Sequence, residues 1–266
     1  MTQAAIMKKR KEEIMDLELR DKVALVTGAG SQIGFGKGIC LTLAKEGCDI
    51  IVNDLDLKGA EQTAAEVRAL GRKAMALRAD VTKSTEVNDM VKTALRELGK
   101  IDILVNNAGV STQPKPFVET TEEEWDININ INLRGVLNCT KAVLPQMIAR
   151  KSGKIVSMSS TAGIAGMRTG GLYGAAKGGV IIFTQALALE VADFGINVNA
   201  IAPGLGATNF HKASNFTAEF IEKMVKGMAA AGKTTTPQDI GNAVAFLVSN
   251  ASSRITGQCL RVSGTM

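Results

Sequence analysis

Short apolar runs alternate along the chain with longer stretches in which apolar residues recur every three or four positions. Lys22–Thr27 reads KVALVT, Asp49–Asp54 reads DIIVND and Ile101–Asn106 reads IDILVN. Lys73–Ala79, Lys154–Ser159, Ile196–Ile201 and Gln258–Val262 repeat the pattern. Runs this short and this rich in β-branched residues predict strands covered on both faces. Between them, helical spacing predicts helices near 36–46, 57–70, 83–98, 121–150, 171–193 and 237–249. Strand and helix alternate throughout, which implies right-handed crossovers, a parallel sheet and a helix layer on each face. The expected fold class is α/β: a doubly wound parallel sheet in a single domain.

The rhythm breaks after Ile201. No strand is predicted between Pro203 and Pro237, where Phe210, Phe216, Phe220, Met224 and Met228 punctuate a small and polar background. A long insertion past a late strand reads as a substrate lid over 205–235, or as a helical pair packed on the core, and the two are compatible. A chain of 266 residues is within the size of one core. One catalytic domain is expected over 20–266, preceded by an extension over 1–19.

Composition narrows the classes. Hydrophobic content of 45% with 21% charge fits a soluble globular protein. Apolar runs such as Val180–Phe183 fall far short of the roughly 20 residues of a membrane span, so no membrane partner is expected. The net charge is +5, but the basic cluster Lys8–Lys11 is followed directly by Glu12, Glu13, Asp16 and Glu18. That mixture reads as a solvated helix or a frayed tail rather than a nucleic-acid arm. No apolar stretch follows it, so it is not a secretory signal. Cys40, Cys48, Cys139 and Cys259 form no CxxC pair and sit among apolar residues. Free buried thiols suit a reducing cytoplasm. His211 is the single histidine, which excludes a His-rich metal site and leaves a Ser-His-Asp hydrolase only one possible base. No metal is expected.

The first predicted strand runs into a glycine-rich turn, Thr27-Gly28-Ala29-Gly30-Ser31-Gln32-Ile33-Gly34-Phe35-Gly36. A turn of this kind before a helix lets the backbone approach a pyrophosphate, which the helix N-terminus then attracts. Gly28, Ser31, Gln32, Ile33 and Gly34 are the candidate phosphate cradle. Asp54 ends the second strand, about 20 residues past that turn, where a carboxylate accepts from the adenosine ribose hydroxyls. It would repel a 2′-phosphate, Asp56 adds to the repulsion, and NAD is therefore expected over NADP. Asp80 and Val81 follow the third strand, and Asn107, Ala108 and Gly109 the fourth. All lie at carboxyl ends of strands, where a ligand of an open α/β sheet sits. Asp80 could bond the adenine amino group, and Gly109 would leave room for a ribose.

The chemistry is read from Tyr173-Gly174-Ala175-Ala176-Lys177. Positions i and i+4 of a helix share a face, so the phenol and the ammonium can act on one point. At about 4 Å and an effective dielectric near 20, their attraction is on the order of 4 kcal/mol, or roughly three pK units. The expectation is a tyrosine drawn toward neutral pH as a general acid/base. Ser160 ends the fifth strand, 13 residues earlier, and can hydrogen-bond a substrate oxygen. Asn132 lies inside the helix after the fourth strand.

Taken together, the glycine turn, Asn106-Asn107-Ala108-Gly109, Asn132, Ser160 and the Tyr173/Lys177 pair make the chain resemble the classical short-chain dehydrogenase/reductase family over about 20–264. The resemblance implies a Rossmann-like fold of seven parallel strands and a catalytic tetrad of Asn132, Ser160, Tyr173 and Lys177. It implies that Lys177 binds the nicotinamide ribose, that Asn132 holds a relay water, and that Pro203, Gly204 and Thr208 contact the nicotinamide carboxamide. It also implies a homotetramer paired through the helices near 121–150 and 171–193. Two departures stand out. The glycine turn is two residues longer than the family's spacing, with Ser31-Gln32 as the insertion. Val262-Ser263-Gly264 replaces the common VDG.

The expected reaction is hydride transfer between NAD(H) and a secondary alcohol or ketone. Val110–Phe117, Thr161–Met167 and the segment 205–228 would line the substrate pocket, with Gln113, Lys115, Arg168 and His211 as possible polar contacts. Two substrate classes fit: an alicyclic or aromatic secondary alcohol, or a 3-hydroxyacyl thioester. The rival readings are an epimerase or dehydratase on the same scaffold, and a non-catalytic subunit or binding protein that keeps the fold.

Overall fold

The structure is a computed structural model. It describes residues 16–206, 208–210, 216–217, 219, 222 and 234–264. The extension up to residue 15, His211 and most of the 205–235 segment lie outside the described residues.

Seven strands form one parallel sheet: β1 (Val23–Thr27), β2 (Asp49–Asp54), β3 (Ala74–Arg78), β4 (Ile103–Asn106), β5 (Gly153–Met158), β6 (Ile196–Pro203) and β7 (Cys259–Val262). Their order is β3-β2-β1-β4-β5-β6-β7. The order reverses between β1 and β4, and that switch point opens a crevice at the carboxyl ends of the strands. Eight α-helices are described: α1 (Phe35–Lys45), α2 (Leu57–Ala69), α3 (Ser84–Leu98), α4 (Glu122–Ile129), α5 (Gly135–Arg150), α6 (Thr161–Ala165), α7 (Gly171–Val191) and α8 (Pro237–Val248).

The sheet carries two cores because side chains alternate across it. Ala24, Val26, Ile50 and Val52 face Ile39, Leu43, Val67 and Val244 of α1, α2 and α8. Val23, Leu25 and Ile51 face Val87, Val143 and Val191 of α3, α5 and α7. Strands buried on both faces explain why the sequence shows continuous apolar runs rather than alternation.

Three details differ from the sequence expectation. The helix expected over 121–150 is interrupted by a π-helical turn at Asn130–Arg134. A short helix, α6, follows β5. Gly206 and Thr235 form an isolated parallel bridge, so the ends of the 205–235 segment are pinned together. The membrane expectation also needs qualifying. The segment Gly171–Phe194 is long and apolar enough to cross a membrane by length and composition. Here Val180, Thr184, Leu187 and Val191 of that helix are buried in the protein.

Away from the crevice, Asp102 anchors the amino ends of the strands. It accepts from the Val23 N–H at 2.9 Å and pairs with Arg150 and, at 3.0 Å, with Lys100. Burial raises its pKa, but these three partners outweigh burial and hold it below the usual value.

Candidate active site

A cavity of about 1060 Å³ runs along the carboxyl ends of the strands. Its nucleotide end is built by the turn after β1. Gly28 adopts a left-handed backbone (φ 63°), and a Cβ there would stand 2.6 Å from Ala108 Cα. The turn can thus press against the segment after β4 only as glycine. Asn107 locks the contact, donating through Nδ2 to the carbonyls of Thr27 and Gly28 at 2.9 and 2.8 Å. Helix α1 begins after Gly34, and no side chain caps it. Its first N–H groups are therefore available to an anion, with the helix dipole behind them.

Asp54 ends β2 and lines the same cavity. Its Oδ2 accepts from the Gly30 N–H at 2.7 Å, and its Oδ1 from the Asp56 N–H at 3.0 Å. Asp80 caps the turn after β3, accepting from the Thr82 N–H and hydroxyl.

At the catalytic end, β5 delivers Ser160 as the N-cap of α6, where its Oγ accepts from the Ala162 N–H at 3.2 Å. Helix α7 delivers Tyr173 and Lys177. The Lys177 Nζ lies 5.7 Å from the Tyr173 ring centroid and donates to the Met158 carbonyl at 2.8 Å. The Ser159 hydroxyl donates to the Lys177 carbonyl, fixing that turn of α7 to β5. Phe210 leans on the Tyr173 ring at 5.9 Å between centroids.

Both ionisable groups are pushed toward neutrality. The Tyr173 ring is partly exposed to the cavity, but its phenol lies deep, and desolvation raises its pKa to about 12 while a hydrogen bond with Ser160 pulls the other way. Desolvation lowers Lys177 to about 7. Burial thus opposes the expected lowering of the tyrosine by the lysine. The Lys177 amine is bonded to the Met158 carbonyl, and burial disfavours both the ammonium and the phenolate.

Asn132 is placed differently from the other candidates. It sits in the π-helical turn, fully buried, and does not line the cavity. Its Nδ2 donates to the Val110 and Asn128 carbonyls at 2.7 and 2.9 Å, and its Oδ1 accepts from the Val110 N–H at 3.2 Å. Gly109 separates it from the lysine: a Cβ there would stand 2.9 Å from Asn132 Oδ1 and 3.3 Å from Lys177 Nζ. The space read from sequence as room for a ribose is thus also needed by these two side chains.

Gly28, Ser31, Gly34, Asp54, Asp80, Val81, Asn107, Ala108, Gly109, Ser160, Tyr173, Lys177, Pro203, Gly204 and Thr208 all line the one cavity. Gln32 and Ile33 do not. Gln32 bonds the Gly30 carbonyl of the turn instead, and Ile33 is exposed, its own carbonyl accepting from the Asn209 N–H. Phe35, Leu55, Thr82 and Ile131 line the cavity without having been singled out from sequence. Leu55, 56% exposed just past the ribose-binding candidate, is the one whose sequence position carried a signal. Gln113 and Lys115 border a smaller cavity of about 220 Å³ beside Tyr173, and Lys115 pairs with Glu124 at 2.9 Å. Arg168 lines neither of these cavities.

The donor set fits a dinucleotide: an uncapped helix end for phosphates, a carboxylate for a ribose, and an elongated cavity joining both to a buried phenol. The fold and this site together define a nucleotide-dependent oxidoreductase. Residues 22–219 match the short chain dehydrogenase family. The chain belongs to that family and is an oxidoreductase that uses a nicotinamide cofactor. It is 38% identical over 247 residues to a 3-oxoacyl-[acyl-carrier-protein] reductase of Staphylococcus epidermidis, covering 92% of this chain and 99% of the relative. It is 40% identical over 250 residues to a 3-oxoacyl-[acyl-carrier-protein] reductase of Synechocystis, covering 93% and 98%. A crystallised protein of Sinorhizobium meliloti, itself assigned only provisionally as a short-chain alcohol dehydrogenase, superposes with a TM-score of 0.86 at 33% identity, covering 94% of this chain and 98% of its own.

Proposed function

We propose that the protein reduces a ketone to a secondary alcohol with NADH, and runs the reverse reaction with NAD, with Tyr173 as the proton-transfer residue. The observation that carries this reading is the convergence of Ser160, Tyr173 and Lys177 on one end of a cavity whose other end holds Asp54. When bound, the nicotinamide ring supplies or accepts the hydride. Ser160 Oγ holds the substrate oxygen against Tyr173 Oη. A phenol with its pKa near 12 stays protonated at neutral pH, so Tyr173 is poised to give its proton to the oxygen as charge develops there. Lys177 holds the ribose side of the cofactor site, with its Nζ 5.7 Å from the centre of the Tyr173 ring. Asn132 pins Val110 and the π-helical turn, and so fixes the floor on which Lys177 stands. In this tetrad it is a positioning residue.

The substrate proposed is a 3-oxoacyl thioester or its 3-hydroxy counterpart. Its support is the name shared by the reductases of Staphylococcus and Synechocystis, together with the apolar lining from Met167, Leu205, Phe210 and Phe216. Free alicyclic or aromatic alcohols remain the second reading, favoured by the aromatic packing of Phe210 on Tyr173. The segment 205–235 acts as the lid of a single catalytic domain over 20–266, and the buried free thiols suit a cytoplasmic enzyme. A homotetramer is also proposed. Ile182 and Leu189 of α7 are 65% and 84% exposed, and Leu137, Ile129 and Trp125 add apolar surface on α5 and α4.

The test is oxidation of NADH and of NADPH with 3-oxoacyl thioesters and free ketones, in parallel with Tyr173→Phe. NADH-linked turnover of a thioester, lost in the variant, supports the reading. Turnover of free ketones alone selects the second substrate class. Cofactor binding with no turnover on any member of the panel points to a non-catalytic protein.

A further inference from the structure

The inserted pair Ser31-Gln32 has an ordered bonding pattern of its own. The Gln32 amide nitrogen donates to the Gly30 carbonyl at 2.9 Å and to the Gly59 carbonyl at 3.1 Å, with the Thr63 hydroxyl at 3.5 Å. Its amide oxygen accepts from Lys37 Nζ at 2.8 Å, and Lys37 pairs with Glu66 of α2 at 2.6 Å. The insertion thus reaches across to the first two turns of α2. Gly30 is held from both sides, through the two peptide groups that flank its Cα. The Gly30 N–H is what Asp54 Oδ2 accepts from, while the Gly30 carbonyl is taken by Gln32. Packing leaves Gly30 little freedom: a Cβ on it would stand 2.8 Å from Asp54 Cγ, and one on Gly59 only 2.4 Å from the Gly30 carbonyl oxygen.

We propose that Gln32 is a positioning residue for cofactor selectivity: by holding Gly30 through its carbonyl it fixes the N–H that orients the Asp54 carboxylate, which receives the adenosine ribose. It acts through Asp54 and touches no cofactor, since it is exposed and does not line the cavity. The five-residue spacing of the glycine turn is then a functional feature. It supplies a second side-chain tie between the turn and α2, beside the Thr63 hydroxyl, which donates to the Ala29 carbonyl at 2.9 Å. This inference rests on the proposed role of Asp54 toward NAD.

The test is a double-mutant cycle on the full chain, with dissociation constants for NAD and NADP measured by titration calorimetry. Gln32→Met keeps the side-chain length and removes every hydrogen bond. Losing one well-placed hydrogen bond corresponds to a change of about 10-fold, so Gln32→Met should cut the preference for NAD over NADP by about that factor. In an Asp54→Ala background the same substitution should leave the ratio unchanged. A loss shared equally by both cofactors, or the same change of ratio in both backgrounds, would overturn the proposal, because it would make Gln32 a general brace of the loop. A failure of the underlying reading has a separate signature. Wild type would then show no preference for NAD, and Asp54→Ala alone would leave the ratio where it was. Gln32 is exposed and Asp54 lines the cavity, so neither variant removes core packing.

Discussion

The two ends of the cavity hold their functional groups by opposite means. At the nucleotide end, Asp54 remains partly exposed, and both carboxylate oxygens are met by backbone N–H groups of Gly30 and Asp56. At the catalytic end, Tyr173 and Lys177 are driven toward their neutral forms by desolvation, against one hydrogen bond each. The nucleotide end is a pre-bonded receptor that changes little when charge arrives. The catalytic end disfavours charge, so burial raises the proton affinity of Tyr173 and lowers that of Lys177. Recognition is thus assigned to loops fixed by the main chain, and chemistry to a helix buried against β5.

The sharpest way to break this contrast is Tyr173→Phe. The variant should lose about 10²–10⁴-fold in kcat, the usual contribution of a general acid. Its cofactor affinity, read by calorimetry, should stay within a few-fold of wild type. A comparable loss in binding would mean that the two ends are not separable.

Lys177→Met should also abolish most activity, but its informative effect is on stability. The folded pKa of about 7 lies below the ordinary value of 10.5. The unfolded chain keeps that proton up to its ordinary pKa, whereas the folded chain releases it near pH 7. Burial of Lys177 therefore destabilises the fold fully below about pH 7, and the penalty fades between there and about pH 10.5. Wild-type stability from urea unfolding should rise across that window, and the rise should be missing in Lys177→Met. At about pH 6 the variant should be the more stable protein. A flat wild-type profile would show that the lysine keeps its proton in the fold.

A smaller effect is expected at the other end. Asp54→Ala removes a charged acceptor for ribose hydroxyls, so preference for NAD over NADP should fall by about 10–100-fold. Turnover at saturating cofactor should change little. Outside both ends, Asp102→Asn should leave turnover intact and cost about 2 kcal/mol in chemical denaturation, through its lost charged hydrogen bonds. Because the folded Asp102 pKa is depressed, its stabilisation is present above the ordinary carboxylate range and is lost as pH falls through the folded value. The wild type should accordingly lose more stability than the variant on acidification.

Much of this was legible in the chain. Continuous apolar runs fix buried strands because only a sheet covered on both faces tolerates them, and all seven appear within a residue or two of expectation, β1 at Val23–Thr27 among them. The glycine turn, Asp54 and the Tyr173/Lys177 pair were readable because each is a local pattern: a strand-to-helix junction, a strand end, and one face of a helix. Local spacing placed a hydroxyl, a phenol and an ammonium near one another. It could not give the balance of burial against attraction that sets their pKa values, because burial is contributed by residues far apart in sequence. The part played by Asn132 was hidden for the same reason. Its amide is spent on Val110, 22 residues away, and on a π-helical turn that periodicity read as plain helix. The sequence by itself determined the sheet, its two helix layers and the residue types at the crevice, since these follow from short-range periodicity and turn chemistry. Only the tertiary structure decided that Gln32 lies outside the cavity lining and grips Gly30, and that burial pushes the Tyr173 pKa up, because both depend on which distant groups surround a side chain.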